Sequence, residues 1–318
     1  MGMSNASSRL ATTGLVGLLA LDVVLVAMAL RSNQTSGIDT SPSSTATASI
    51  HSSGVPESPS PTTSTPSVTS SATATAATAP LQTMLVAIDD QRAWRVHAGS
   101  CSAGGATLAT TNDGGRTWAD AKAPLRTIVR VRPADSQAAF VVGADLRCLA
   151  ELKSTTDGGG AWGSTSTVGS AWFRDPKNPK VVWAPGASTS QPCAELAVLD
   201  LAVVSQSTAR VLCADGLVRS TTNTGSSWTD SGEVTGAVAL AVLSADPAKT
   251  YVARLDVPDC AGIQVQRVDQ SVATSCIQTA VPHDPGQIAL SLVKGGGWLA
   301  VGDMTMRSTD GLVTWTAP

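Results

Sequence analysis

The chain is poor in the residues that most catalytic and binding chemistry uses. One tyrosine, two phenylalanines and three histidines occur in 318 residues, and charged side chains make up only 14%. The net charge of −3 comes without a long run of either sign, so the basic footprint of a nucleic-acid binder is missing. There is no CxxC pair, and His51, His97 and His283 are too few to build a zinc or iron centre. No GxSxG occurs, which removes the nucleophile elbow of a serine hydrolase. On these grounds no metal and no cofactor is expected.

What is present starts with Leu10 to Leu30, an apolar run interrupted by one charge, Asp22. As a helix rising about 1.5 Å per residue it covers roughly 31 Å, enough for a bilayer core. Two readings stand side by side. The length favours an uncleaved signal-anchor, with residues 1–9 as a cytoplasmic tail. Ala27-Met28-Ala29 has the small-x-small form of a cleavage site and would lead to secretion. Residues 31–80 are almost wholly Ser, Thr, Ala and Pro. They lack the apolar content that offsets chain entropy and are expected to form a disordered stalk.

From Leu81 to Pro318 the texture changes to short apolar strands separated by Gly, Asp, Pro and Asn. Four octads punctuate it: TNDGGRTW (Thr111 to Trp118), TTDGGGAW (Thr155 to Trp162), TTNTGSSW (Thr221 to Trp228) and STDGLVTW (Ser308 to Trp315). Each is a hydroxyl residue, an acid or amide two places on, a tight turn, and a tryptophan at the eighth place. Their starts lie 44, 66 and 87 residues apart (Thr111, Thr155, Thr221, Ser308), which fits one, two and two units if units three and five have lost the motif. Unit three then reads AWFRDPKNPKVVWAPG followed by CAELAVLDL. Unit four starts at Leu201, and unit five (ALAVLSADPAKTYVARL, GIQVQRVDQSVATSC) has an eroded motif. Four strands in about 40 residues is one propeller blade. The expectation is an all-β chain: a β-propeller of about six four-stranded blades over 81–318, preceded by one transmembrane helix and the stalk.

The octad resembles the Asp-box, or bacterial neuraminidase repeat, of sialidases, xyloglucanases, sortilin-like receptors and photosystem-assembly factors. The resemblance implies that Asp113, Asp157, Asn223 and Asp310 accept turn N–H groups. Thr111, Thr155, Thr221 and Ser308 would tie the arms, and Trp118, Trp162, Trp228 and Trp315 would plug the turn from below. It also raises a sialidase, which would need an activated tyrosine. Tyr251 instead aligns with the buried second strand Val182-Trp183-Ala184, and Phe173-Arg174-Asp175-Pro176 reads as a strand end with a DP turn. A two-carboxylate glycosidase would need paired acids, and none of Asp89, Asp90, Asp145, Glu151, Glu195, Asp256 and Asp259 is singled out by spacing.

Six cysteines in an exported domain point to disulfides, with fifteen possible pairings. In the repeat alignment Cys101, Cys148, Cys193 and Cys260 all fall between second and third strands. The expected pairs are Cys260–Cys276, Cys101–Cys148 and Cys193–Cys213. One cluster could bind an anion: Arg126, Arg130 and Arg132 on the innermost strand of unit two, where period-2 spacing puts them on one face. The alternative is that they pair with Asp89, Asp90 or Asp135. The functional expectation is a membrane-anchored extracytoplasmic binding or assembly module, monomeric, for an envelope glycan, peptide or protein. An anchored or secreted glycoside hydrolase is the competing class.

Overall fold

A computed structural model describes residues 81–163, 168–243, 246–258, 260–279 and 284–318. The expected tail (1–9), span (10–30) and stalk (31–80), and likewise Asp259 and His283, lie outside the described residues.

Short runs of Val, Thr, Ala and Leu, broken by turn residues every five to seven positions, suit pleated strands better than helices. They form six antiparallel meanders in which each strand pairs with the next. The first sheet holds β1 (Thr83–Ala87), β2 (Ala93–His97), β3 (Thr107–Thr111) and β4 (Ala119–Ala121). The second holds β5 (Thr127–Pro133), β6 (Ala139–Ala144) and β7 (Ala150–Thr155), and the third β8 (Phe173–Arg174), β9 (Val182–Ala184) and β10 (Ser188–Ser190). The fourth comprises β11 (Val198–Val203), β12 (Ala209–Cys213), β13 (Leu217–Thr221) and β14 (Thr229–Glu233). The fifth comprises β15 (Ala237–Leu243), β16 (Asp246–Arg254), β17 (Ile263–Arg267) and β18 (Ala273–Ile277). The sixth holds β19 (Ile288–Val293), β20 (Gly296–Val301) and β21 (Met304–Ser308). In the second and sixth sheets the fourth strand is reduced to single bridges, Ser154 to Gly163 and Arg307 to Thr316.

The first strands of successive sheets neighbour one another, β1 with β5, β5 with β8, β8 with β11, β11 with β15, β15 with β19 and β19 with β1. The ring therefore closes. The chain is a six-bladed β-propeller.

Both faces of each sheet are covered by neighbours, which is why strands such as AVALAVL and GGWLAV are apolar throughout instead of alternating. Six clusters of buried residues fill the six gaps between sheets. In the first sheet Trp94 and Val96 face Ile128 and Val141 of the second. The alternate residues Leu85 and Ala93 face Trp298 and Ala300 of the sixth.

Two details differ from the sequence expectation. The apolar stretch Val198–Val203 is the innermost strand of the fourth sheet, so the boundary between units three and four falls before Val198 and not at Leu201. The third strand of the third sheet is instead the short polar β10. Cys193 accordingly sits in the connection between the third and fourth sheets, not between second and third strands. The three disulfides are Cys101–Cys148, Cys193–Cys213 and Cys260–Cys276. By the up-and-down order of the strands, all three gather on the face that carries the inter-sheet connections. Leu81, where the described chain enters the ring, lies on the same face.

Candidate functional site

The four octads lie between third and fourth strands and share one hydrogen-bond scheme. In the first, the Thr111 hydroxyl donates to Asp113 Oδ1 (2.8 Å) and accepts from Gly115 N–H (3.0 Å). Asp113 also accepts from the Thr117 amide (3.0 Å) and hydroxyl (2.6 Å). Thr155 and Asp157 repeat the scheme with Gly159 and Ala161, and Ser308 and Asp310 repeat it with Leu312 and Thr314. Asn223 keeps it as a neutral acceptor, taking bonds from Thr221 (2.9 Å) and Ser227 N–H (3.0 Å). The Thr117 hydroxyl, then the Thr117 amide, hold the Asp113 carboxyl far below its usual range. The Ala161 amide does the same, less strongly, for Asp157. The Thr314 hydroxyl leads in drawing Asp310 down to about 2.

Each octad is also latched to the first hairpin of its own sheet. The fourth-place N–H groups of Gly114, Gly158, Thr224 and Gly311 donate to the carbonyls of Gln91, Gln137, Ser207 and Gly295 at 2.8–2.9 Å. The tryptophans reach further than a plug for their own turn. Trp162 Nε1 donates to Lys122 O (2.6 Å), Trp228 Nε1 to Ser190 Oγ (3.1 Å) and Trp315 Nε1 to Ser275 Oγ (3.0 Å), each on the preceding sheet. Trp118 meets Trp298 of the sixth sheet edge-on, at 6.5 Å between centroids. In the opposite direction Trp94, Trp172 and Trp298 donate to carbonyls in the first hairpin of the following sheet, at Asp135, Ser205 and Asp89. The octads are inter-sheet staples, and their acids are occupied by their own turns.

The seam between first and sixth sheets contains a hydroxyl–imidazole–carboxylate line. His97 Nδ1 lies 3.3 Å from Thr83 Oγ1, and His97 Nε2 lies 3.1 Å from Asp303 Oδ1, beside a cavity of about 810 Å³. The order mimics a nucleophile, base and orienting acid. Thr83 is 0% exposed, so no substrate carbonyl reaches its oxygen. With Arg95 donating to the Asp303 carbonyl, the line ties the last sheet to the first.

The central channel is the better site. It forms a cavity of about 460 Å³ walled by the first strands of all six sheets, mostly Val, Ala, Leu and Ile. Arg130, Arg132, Arg174 and Asp200 interrupt those walls. Arg130 donates to the Trp172 carbonyl of the third sheet, and its guanidinium lies 5.4 Å from the Phe140 ring centroid. Arg174 donates to Leu199 O (2.8 Å) of the fourth sheet. Asp200 accepts from Leu240 N–H (2.8 Å) of the fifth, and Ser291 from Ala87 N–H (3.0 Å) of the first. Side chains from inner strands thus satisfy the backbone of the next inner strand, which has no ladder partner on the channel side.

Burial, reinforced by repulsion from Arg132, pulls Arg130 down to about 9. Burial lowers Arg174 and raises Asp200, and their mutual attraction opposes both shifts. Among the described residues no carboxylate forms an ion pair with Arg130, and Asp200 is the one acid in the channel lining.

Neither sequence reading of the arginine cluster survives intact. Arg126 precedes β5 and donates to the carbonyls of Cys101 (3.0 Å) and Ser102 (2.6 Å), away from the channel lining. A bulge between Ile128 and Arg130 breaks the alternation that joined it to the other two. Asp89 is held by its own turn and by Arg92 (2.5 Å), Asp90 by Gln91, and Asp135 by the Gln137 and Ala138 amides. Arg174 and Asp200 were missed as channel residues. Their sequence signal is a charge set against apolar residues: Arg174 follows AWF directly, ahead of Asp175, and Asp200 is the single charge inside AVLDLAVV. Among the described residues no three His, Cys, Asp or Glu side chains could hold a metal ion, and no helix is long and apolar enough to cross a membrane.

No protein-family model and no curated protein matches the chain. Solved structures do. The GH74 xyloglucanase from Xanthomonas campestris is 15% identical, with 74% of this chain and 45% of that one covered and a TM-score of 0.41. YCF48 bound to D1 peptide is 17% identical, with 74% and 66% covered and a TM-score of 0.29. The Aleuria aurantia lectin in complex with Fucalpha1-6GlcNAc is 11% identical, with 74% and 94% covered and a TM-score of 0.46. The chain spans less than two thirds of the length of the first two.

Proposed function

We propose that the protein is a binding or assembly module of the bacterial cell envelope: an Asp-box propeller held outside the cytoplasm on a stalk by a single membrane span. The partner is a glycan or a peptide, the kinds of ligand named for the lectin and for YCF48. One observation carries the choice of binding over hydrolysis. The channel offers apolar walls and unpaired guanidinium charge but a single carboxylate, which suits holding a ligand, whereas glycoside cleavage uses two acids about 5–10 Å apart. Propellers present rigid loops around such a channel, a surface suited to recognition.

The test is capture by the full-length chain from envelope extracts and on a glycan array, with fluorogenic glycosides run in parallel. Saturable capture without turnover is expected. Turnover abolished by substitution of a single acid would replace this reading with the hydrolase. Association with membranes that resists alkaline extraction is expected for the anchor, and release of the protein into the medium would refute it.

A further inference from the structure

We propose that the central channel is a receptor for a small amphiphilic carboxylate, whose head sits on Arg130 and Arg132 and whose stem lies along the apolar wall. The proposal rests on the reading of the propeller as a binding module and deepens it.

The first observation is the charge left over. Of the four charged groups that line the cavity, Arg174 and Asp200 attract each other and are fixed to backbone groups of neighbouring sheets. Arg130 and Arg132 remain, two positive charges two residues apart on β5 with no carboxylate paired to either among the described residues. Burial and the repulsion between them both disfavour the Arg130 charge, and an anion placed against the pair would offset that cost. The second observation is geometric. Arg130 donates to the Trp172 carbonyl and lies over the Phe140 ring while still lining the cavity, and Arg132 is exposed near the end of β5 on the hairpin face. A planar carboxylate fits two guanidinium forks at once. The third is the wall. Val86, Ile88, Val203, Val242 and Leu290 line the same cavity as the arginines and offer an apolar wall for an alkyl stem. A hydrated phosphate would lose solvation to those walls without return.

The measurement is equilibrium dialysis of labelled hexanoate against the full-length chain in dodecyl maltoside, with protein-free micelles as the background. Hexanol (stem without charge) and inorganic phosphate (charge without stem) are the competitors. Saturable uptake is expected, with neither competitor displacing it at matched concentration. Arg132→Gln is expected to weaken binding by at least about tenfold, as loss of a charge-assisted bidentate contact should. Arg130→Met is expected to abolish binding; it removes an unpaired buried charge but also leaves the Trp172 carbonyl without its donor, so its melting temperature is recorded alongside to show that it folds. Should Arg130→Met fail to fold, the exposed Arg132→Gln decides alone. Uptake absent in the wild type, or unchanged in Arg132→Gln, overturns the proposal. Equal displacement by hexanol removes the head contact, and equal displacement by phosphate removes the stem, and either also overturns it. If hexanoate fails while envelope capture persists, only this proposal falls. If both fail, the reading of a binding module falls with it.

Discussion

Leu312 offers a test in which the order of two substitutions reverses. The fifth place of the octad has positive φ in all four copies: +88° at Gly115, +90° at Gly159, +77° at Gly225 and +75° at Leu312. A left-handed conformation costs an L-residue about 1–2 kcal/mol. Leu312 bears that cost because its side chain is 4% exposed and packs in the cluster between fifth and sixth sheets. Leu312→Ala keeps the Cβ at positive φ and loses the packing, for about 2–5 kcal/mol. Leu312→Gly loses the same packing but relieves the backbone, and at positive φ glycine lies below alanine by about 1 kcal/mol. For a ring of this size, 1 kcal/mol moves the melting temperature by roughly 2–4 °C. Leu312→Ala should then melt roughly 4–20 °C below the wild type, and Leu312→Gly about 2–4 °C above Leu312→Ala. Leu299, 0% exposed in the middle of β20, is the control. There glycine should be the worse of the pair, by about 0.5–1 kcal/mol. Thermal and guanidinium unfolding of the four variants suffice. If alanine is the milder substitution at both positions, the strain assigned to the fourth octad does not exist.

The octad acids predict a pH dependence. The Asp310 pKa in the fold, about 2, is below its unfolded value, so its stabilisation is complete above about pH 4 and disappears as pH falls through 2. Asp310→Asn, which copies Asn223, should flatten the melting temperature across that interval, and an unchanged slope would remove the acid from the account. Opening Cys101–Cys148, 47 residues apart, should cost about 4 kcal/mol by loop entropy, against about 3 for Cys260–Cys276, 16 apart. Paired Cys→Ala variants in urea would show the order, and a reversed order contradicts it. Trp298→Phe leaves the Asp89 carbonyl without its donor, for about 1–3 kcal/mol. Proteolysis should then begin at the seam between sixth and first sheets, and cutting elsewhere first would show that the seam is not the weak point.

Much of the fold was legible because the octads are local. The partners of Asp113 are Thr111 and Thr117, two and four residues away, so the turn can be read from eight letters. The boundary between third and fourth units was not legible. Ser188–Ser190 is short and polar, whereas AVLDLAVV has the apolar look of a third strand, and only pairing with Ala209–Cys213 shows it to be the next sheet's first. The set of charged residues lining the channel was half legible. Period-2 spacing identified Arg130 and Arg132 but also drew in Arg126, because a bulge leaves no mark in composition.

The sequence by itself therefore determined the turns, the strands and the approximate number of sheets, since each depends on contacts within a few residues or one hairpin. Only the tertiary structure decided which charges face one another. Arg130, Arg174 and Asp200 belong to three different sheets. They share a channel because apolar packing between sheets bends the row of meanders until Trp298 reaches the carbonyl of Asp89, 209 residues away, and closes the ring.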